Sequence, residues 1–322
     1  MLRYSFTEKE YIFGDRRPFA SCHASTLDVL PDGSIRAAWF GGTKEGMGDV
    51  AIWSSKRENG KWSEPQKIAD REGMPHWNPV LFRTNEGKLR LYYKVGHTIP
   101  HWHTLTCTST DDGARWSEPV PLVQNDTGGR GPVRNKPIYL RNGMLLAPAS
   151  LETLQQWDAF VDISCDNGGS WEASSLVPID HESFPGKGII QPTLWESDEG
   201  VHMLLRSTAG AIYRSDSTDQ GETWSPAYAT PLPNNNSGID LARMQSGTLA
   251  LVYNPVGEDR GARTPLVVRL SHDNGNTWGD EFVLEDEPGE FSYPAIVTQG
   301  DHLYITYTWN RVKIVYWRLK LE

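Results

Sequence analysis

Short runs of alternating apolar and polar residues, separated by turns rich in Gly and Asp, recur along the whole chain. In residues 34–40, strand geometry puts Ile35, Ala37 and Trp39 on one face and Arg36, Ala38 and Phe40 on the other. Residues 249–253 and 302–307 repeat this pattern with β-branched and aromatic side chains. No stretch carries apolar residues at helical spacing, and no run is long enough for a helical membrane span. The pattern predicts an all-β chain of short strands.

The turns are themselves periodic. Four segments share one box: Ser109 to Trp116, Ser164 to Trp171, Ser217 to Trp224 and Ser271 to Trp278, each with Asp at the third position and Gly at the fifth. A fifth, Glu58 to Trp62, keeps only the turn and the Trp. The closing tryptophans stand at 62, 116, 171, 224 and 278, in steps of 54, 55, 53 and 54. Within a box, Asp is placed to accept backbone amides, Gly to allow positive φ, and Trp to cover the hairpin. A unit of this length with about four strands reads as a propeller blade. The chain's 322 residues accommodate six such units. The expected fold is a single six-bladed β-propeller over residues 1–322. Its last blade is split, with inner strands from about Tyr293 to Leu321 and an outer strand from about Arg3 to Phe13. Pairing the termini in this way protects the sheet edges and overrides the two-domain expectation from length.

Composition narrows the function. Against 31 basic residues stand 41 acidic ones, a net charge of −10, which disfavours nucleic acid and anionic membranes as partners. Three cysteines, Cys22, Cys107 and Cys165, make neither a disulfide framework nor a metal-binding pair, and no cofactor is implied. The first eight residues lack the apolar core of a secretory signal, so the expected location is the cytoplasm, or outside the cell after processing.

The innermost strands should begin near His23, Asn78-Pro79, Lys136-Pro137, Gln191-Pro192, Ser237-Gly238 and Tyr293-Pro294. Proline suits a strand start that needs no amide donor. That does not account for the polar residue before it, and polar groups converging from six blades are what a ligand site requires. Asn78, Arg134, Lys136 and Asp240 fall at this mouth as candidate contacts to substrate hydroxyls, with Trp77 or Trp102 as a stacking platform. Asn234 to Asp240 reads as a turn into a strand. The His97, His101, His103 cluster reads as a loop or solvated strand rather than a metal site. Asn125-Asp126-Thr127 is a glycosylation acceptor only in a secreted chain.

The boxes and pocket positions resemble those of the sialidase-like propellers over nearly the whole chain. That resemblance implies a pocket for an acidic sugar, with arginines holding its carboxylate. Arg206, closing the second strand of the fourth blade, and Arg263, ahead of the fifth box, match two of the family's three arginines. The first arginine's place is taken by His23. Asp49 resembles the family acid/base, with Glu45 as a nearby alternative, and Tyr293 resembles the nucleophile. Gln191 stands where a Glu would activate that tyrosine.

A phenol serves as nucleophile where the substrate carries its own carboxylate at the reacting carbon. His23, with an ordinary pKa of about 6.5, is a candidate base or cationic carboxylate partner. Three function classes follow: an exo-glycosidase releasing an acidic sugar, a uronate lyase using His23 and Tyr293 as acid and base, and a glycan-binding propeller without activity. The expected partner is an acidic carbohydrate in each case. Oligomeric state is not indicated.

Overall fold

The computed structural model describes residues 4–126 and 128–322. Period-2 runs joined by short turns fold back on their neighbours, giving six separate antiparallel sheets. Five follow the chain, over residues 21–69, 76–121, 138–173, 189–233 and 240–285. The sixth joins the two ends. Phe291–Gln299, His302–Trp309 and Lys313–Leu321 are its inner strands and Tyr4–Tyr11 its outermost, with Tyr4 opposite Leu321 and Tyr11 opposite Val315. The six-bladed propeller is therefore closed by its own termini, as the repeat predicts. Arg3, and Thr127 of the glycosylation triplet, lie outside the described residues. Among the described residues no helix is long and apolar enough to cross a membrane.

The core is divided between blades, because each sheet buries both faces against its neighbours. Ile35, Ala37 and Trp39 meet Tyr304, Ile314 and Tyr316 of the sixth blade. Ala38 and Phe40, on the opposite face, meet Leu81, Leu89 and Leu91 of the second. Separate clusters fill the other interfaces in the same way. This leaves the axis to polar residues.

The boxes close as expected and then do more. In each, the Ser hydroxyl donates to the Asp and accepts the Gly amide, as in Ser109 Oγ to Asp111 Oδ1 at 2.8 Å and Gly113 N to Ser109 Oγ at 2.7 Å. The Asp accepts an amide four residues on, as in Asp166 from Ser170 N at 2.8 Å. Box carbonyls take arginines from the preceding blade: Arg36 to Asp112 at 2.6 Å, Arg90 to Gly168 at 3.0 Å and Arg214 to Asn274 at 2.8 Å. The tryptophans do not simply cover their own hairpins. Trp116 and Trp224 pack into the interface with the preceding blade, so the box staples blade to blade.

In three blades the innermost strand starts earlier than the proline suggests, while the third and fifth start later, at Ile138 and Asp240. Asn78-Pro79 lies inside His76–Arg83, Gln191-Pro192 inside Ile189–Ser197 and Tyr293-Pro294 inside Phe291–Gln299. Each strand slips register there, and the residue before Pro has φ of +40° at Asn78, +52° at Gln191 and +54° at Tyr293. The first blade repeats this with Ala24 at +54°. The prolines thus occupy β-bulges, where no ladder amide is required. The bulge re-aims the preceding side chain toward the mouth.

Candidate functional site

The mouth is organised around Tyr293, which is half-buried. A left-handed φ is strained for an aromatic residue and persists only where its surroundings hold it. Three guanidiniums surround the ring: Arg134 at 5.0 Å, Arg263 at 5.5 Å and Arg206 at 5.7 Å from its centroid. His23 packs beside it, with centroids 4.2 Å apart. Residues from the third, fourth, fifth, sixth and first blades thus meet at one phenol.

The arginines are not equivalent. Arg206 Nη1 donates to Tyr293 Oη at 3.0 Å and to Gln191 Oε1 at 3.1 Å, and its remaining nitrogens bind Asn236 through Oδ1 and the carbonyl. These bonds commit its whole donor fork to protein acceptors. Arg134 is buried and donates to the Pro294 carbonyl. A Cβ at Gly238 would come within 2.7 Å of its Nε, which explains why the fifth blade has Ser-Gly where other blades have a polar residue and Pro. Arg263, on the loop before the fifth box, stays partly open. Its Nη1 binds Glu290 Oε1 at 2.8 Å.

Glu290 also accepts Arg311 Nε at 2.6 Å and Ser292 Oγ at 2.9 Å, both on Oε1. Burial pushes its carboxyl up, but Arg311 and Arg263 outweigh that and hold it below the usual range. Arg311 continues to Glu45, Nη1 to Oε2, at 2.5 Å.

His23 is fully enclosed, and burial followed by the positive charges of Arg311, Arg263, Arg134 and Arg206 drives its pKa well below the ordinary value. The expected role as a cationic carboxylate partner therefore does not stand, because the imidazole is neutral. Its Nδ1 lies 2.9 Å from Thr308 Oγ1, which accepts the Ala24 amide at 3.2 Å. The Thr308 hydroxyl thus bridges the Ala24 amide and the imidazole. In the unfolded chain the imidazole takes up a proton as pH falls through about 6.5, while the folded one does not. The unfolded state then binds more protons and stability falls. Relative to His23→Asn, the wild type should lose about 1.4 kcal/mol per pH unit below about 6.5. Denaturant midpoints of the two proteins from pH 7.5 to 5 check this, and parallel curves would remove the assignment.

Several expected ligand contacts turn out to hold the ring together. Residues 134–136 form a hub: Arg134 reaches the sixth blade, Asn135 Nδ2 binds the Gln191 and Pro192 carbonyls of the fourth at 3.1 and 3.0 Å, and Lys136 Nζ binds Asp240 of the fifth at 2.8 Å. Asp240 also accepts Thr193 Oγ1 at 3.0 Å and the Ile296 amide at 2.9 Å. Thr193 and Ile296 lie beyond the Gln191 and Tyr293 bulges on their strands, so this knot closes the channel beneath the pocket. Trp77 and Trp102 are buried against one another at 5.8 Å and offer no platform. Asn234 accepts the Ser207 amide, Asn235 donates to the Ala262 carbonyl and Asn236 accepts from Arg206, so all three fasten neighbouring segments. His101 lies in a single 3-10 turn rather than on a strand face with His103. Asn78 is buried at its bulge.

A family model for a BNR repeat-like domain matches residues 33–305. The chain belongs to that family. This BNR propeller is 24% identical to a sialidase of Micromonospora viridifaciens, over 93% of its own length and 51% of the relative's. It therefore spans about half of that protein. Among solved structures it superposes on a Dyadobacter fermentans protein of unknown function with TM-score 0.80, 17% identity and 99% coverage of both chains. It superposes on a Hadza microbial sialidase with TM-score 0.79 and 15% identity, covering 93% of this chain and 66% of that one.

The BNR propeller also holds a carboxyl that sequence reasoning missed. Glu152 ends the second strand of the third blade (Leu145–Glu152), one blade before the equivalent position of Arg206. It is buried, and Gln191 Nε2 donates to it at 3.2 Å. Burial raises its pKa against the pull of Arg206. Glu152, Gln191, Arg206 and Tyr293 thus form one chain of hydrogen bonds. Position at a second strand's mouth end was the available signal, since the same rule located Arg206.

On the loop between the first blade's second and third strands, Asp49 is exposed and accepts Thr43 N at 2.8 Å and Oγ1 at 2.6 Å. These bonds, the hydroxyl's foremost, hold its carboxyl below the usual range. Glu45, on the same loop, reaches Arg311 instead.

Proposed function

We propose that this propeller is an exo-glycosidase that releases an acidic sugar, sialic acid or a related ulosonic acid, from a glycan. The observation that carries this is the phenol of Tyr293 within 5.7 Å or less of three guanidinium groups, with Arg206 bonded to its oxygen at 3.0 Å. A carboxylate nucleophile would be repelled by a substrate carboxylate at the reacting carbon, and a phenol is not. The Tyr293 oxygen, its proton passing to water in the pocket, bonds to that carbon as the glycosidic C–O bond breaks; water then attacks the same carbon, and the Arg206 donor stabilises charge on the phenol oxygen as it departs. Arg263 meets the substrate carboxylate. Gln191, anchored by Glu152, keeps Arg206 aimed at the phenol. The leaving oxygen takes its proton from the 43–50 loop, by Asp49 once it is lifted from Thr43, or by Glu45.

The packing of His23 on Tyr293 at 4.2 Å favours a second reading, β-elimination from a uronate. The two differ in product. A panel of acidic-sugar glycosides and uronate polymers, followed for free sugar and for ultraviolet-absorbing unsaturated product, is expected to release free sugar alone. Unsaturated product would replace the hydrolase reading with the lyase one. Tight glycan binding without either product would leave a binding module.

A further inference from the structure

We propose that Arg311 supplies the second open guanidinium of the carboxylate grip, paired with Arg263 across Glu290. This rests on the acidic-sugar reading and names the groups that recognise its carboxylate.

Of the two arginines nearest the phenol oxygen and its backbone, Arg206 has every donor committed, and Arg134 is enclosed, with Nη1 on Asn135, Nη2 on the Pro294 carbonyl and Nε without a partner. Arg206 is 6% exposed with its fork on Gln191, Tyr293 and Asn236, and Arg134 is 3% exposed beneath the ring. The side chains of Arg263 and Arg311 are 27% and 28% exposed. Both donate to the same oxygen of Glu290, at 2.8 and 2.6 Å, and Ser292, the neighbour of Tyr293, donates to it as well. One carboxylate oxygen therefore aligns two guanidiniums from different loops, one residue from the phenol. Among the described residues, Arg263 keeps Nε and Nη2 and Arg311 keeps Nη2 without a protein acceptor. A carboxylate is matched by such paired, charge-assisted donors.

The backbone under Arg311 is pinned. Its carbonyl accepts Cys22 N at 2.8 Å, and the preceding Asn310 exchanges bonds with Glu290, N to carbonyl at 2.7 Å and Oδ1 from the amide at 2.7 Å. This holds the guanidinium on the side of the pocket where His23, being neutral, brings no charge. Glu45, from the rim loop, pairs with Nη1 and leaves the remaining donor free.

The test compares wild type, Arg311→Asn, Arg311→Lys and the exposed control Arg115→Asn. Asn suits the left-handed φ of +58° at position 311, and Arg115 is 92% exposed. The probes are N-acetylneuraminic acid and its methyl ester, with binding read by calorimetry and, for a glycoside that turns over, KM and kcat read separately. Arg311→Asn is expected to weaken the acid by about tenfold or more, leave the ester unchanged and raise KM more than it lowers kcat. Arg311→Lys should recover part of the loss, and Arg115→Asn should lose nothing. An acid-over-ester preference undiminished in Arg311→Asn, lost equally in the control, or absent from wild type, overturns the proposal. If no glycoside turns over while the preference exists and depends on Arg311, the glycosidase reading falls and the grip stands. Turnover with the preference intact in Arg311→Asn gives the reverse.

Discussion

Tyr293→Phe is expected to fold like the wild type and to lose turnover of an acidic-sugar glycoside by about a thousandfold or more. The substitution removes one oxygen and nothing else. The ring still packs on His23 at 4.2 Å and among the guanidiniums, and the φ of +54° costs Phe no more than Tyr. Arg206 Nη1 loses one acceptor and keeps its bond to Gln191 Oε1. Steady-state kcat, together with a thermal midpoint to verify folding, checks the prediction. Full kcat in the variant would remove the nucleophile and, with it, the mechanism proposed above.

Asp240→Ala should cost about 3–5 kcal/mol of stability, the usual consequence of leaving one partner of a buried ion pair alone. Asp240 is 2% exposed and receives donors from three other blades: Lys136, Thr193 and the Ile296 amide. Without it, the ammonium of Lys136 loses its counter-charge and keeps only the Leu241 carbonyl, and the Ile296 amide loses its side-chain acceptor at the axis. Urea midpoints of the two proteins measure the effect, with Asp240→Asn expected to fall between them. A loss below about 1 kcal/mol would show that the channel knot is not what holds those blades together.

The two residues also show what a one-dimensional reading of a propeller conveys. Counting from the boxes put Asp240 and Tyr293 at the mouth ends of inner strands, and both lie at the axis. It did not separate a residue that points up into the pocket from one that points down into the plug. That separation depends on the bulges at 24, 78, 191 and 293, where one extra residue reverses which side chain faces the mouth. Proline after a polar residue was the visible trace of the bulge. Lys136 followed the same Pro pattern without belonging to the open pocket.

Glu152, Glu290 and Arg311 were less accessible for a different reason. None belongs to a motif, and each matters through a partner more than 15 residues away or on another blade. The neutrality of His23 is of the same kind. It follows from enclosure and from four arginines contributed by the third, fourth, fifth and sixth blades, so only their assembly decides its charge.

The sequence by itself determined the period, the number of blades, the split closing blade and the strand ends that bear polar groups. These follow from local rules, since turn chemistry and period-2 alternation act over a few residues and then repeat. The tertiary structure decided which of those polar groups face a ligand and which face each other. Donor capacity and burial are shared across blades, and an arginine's role depends on acceptors that the chain places far away.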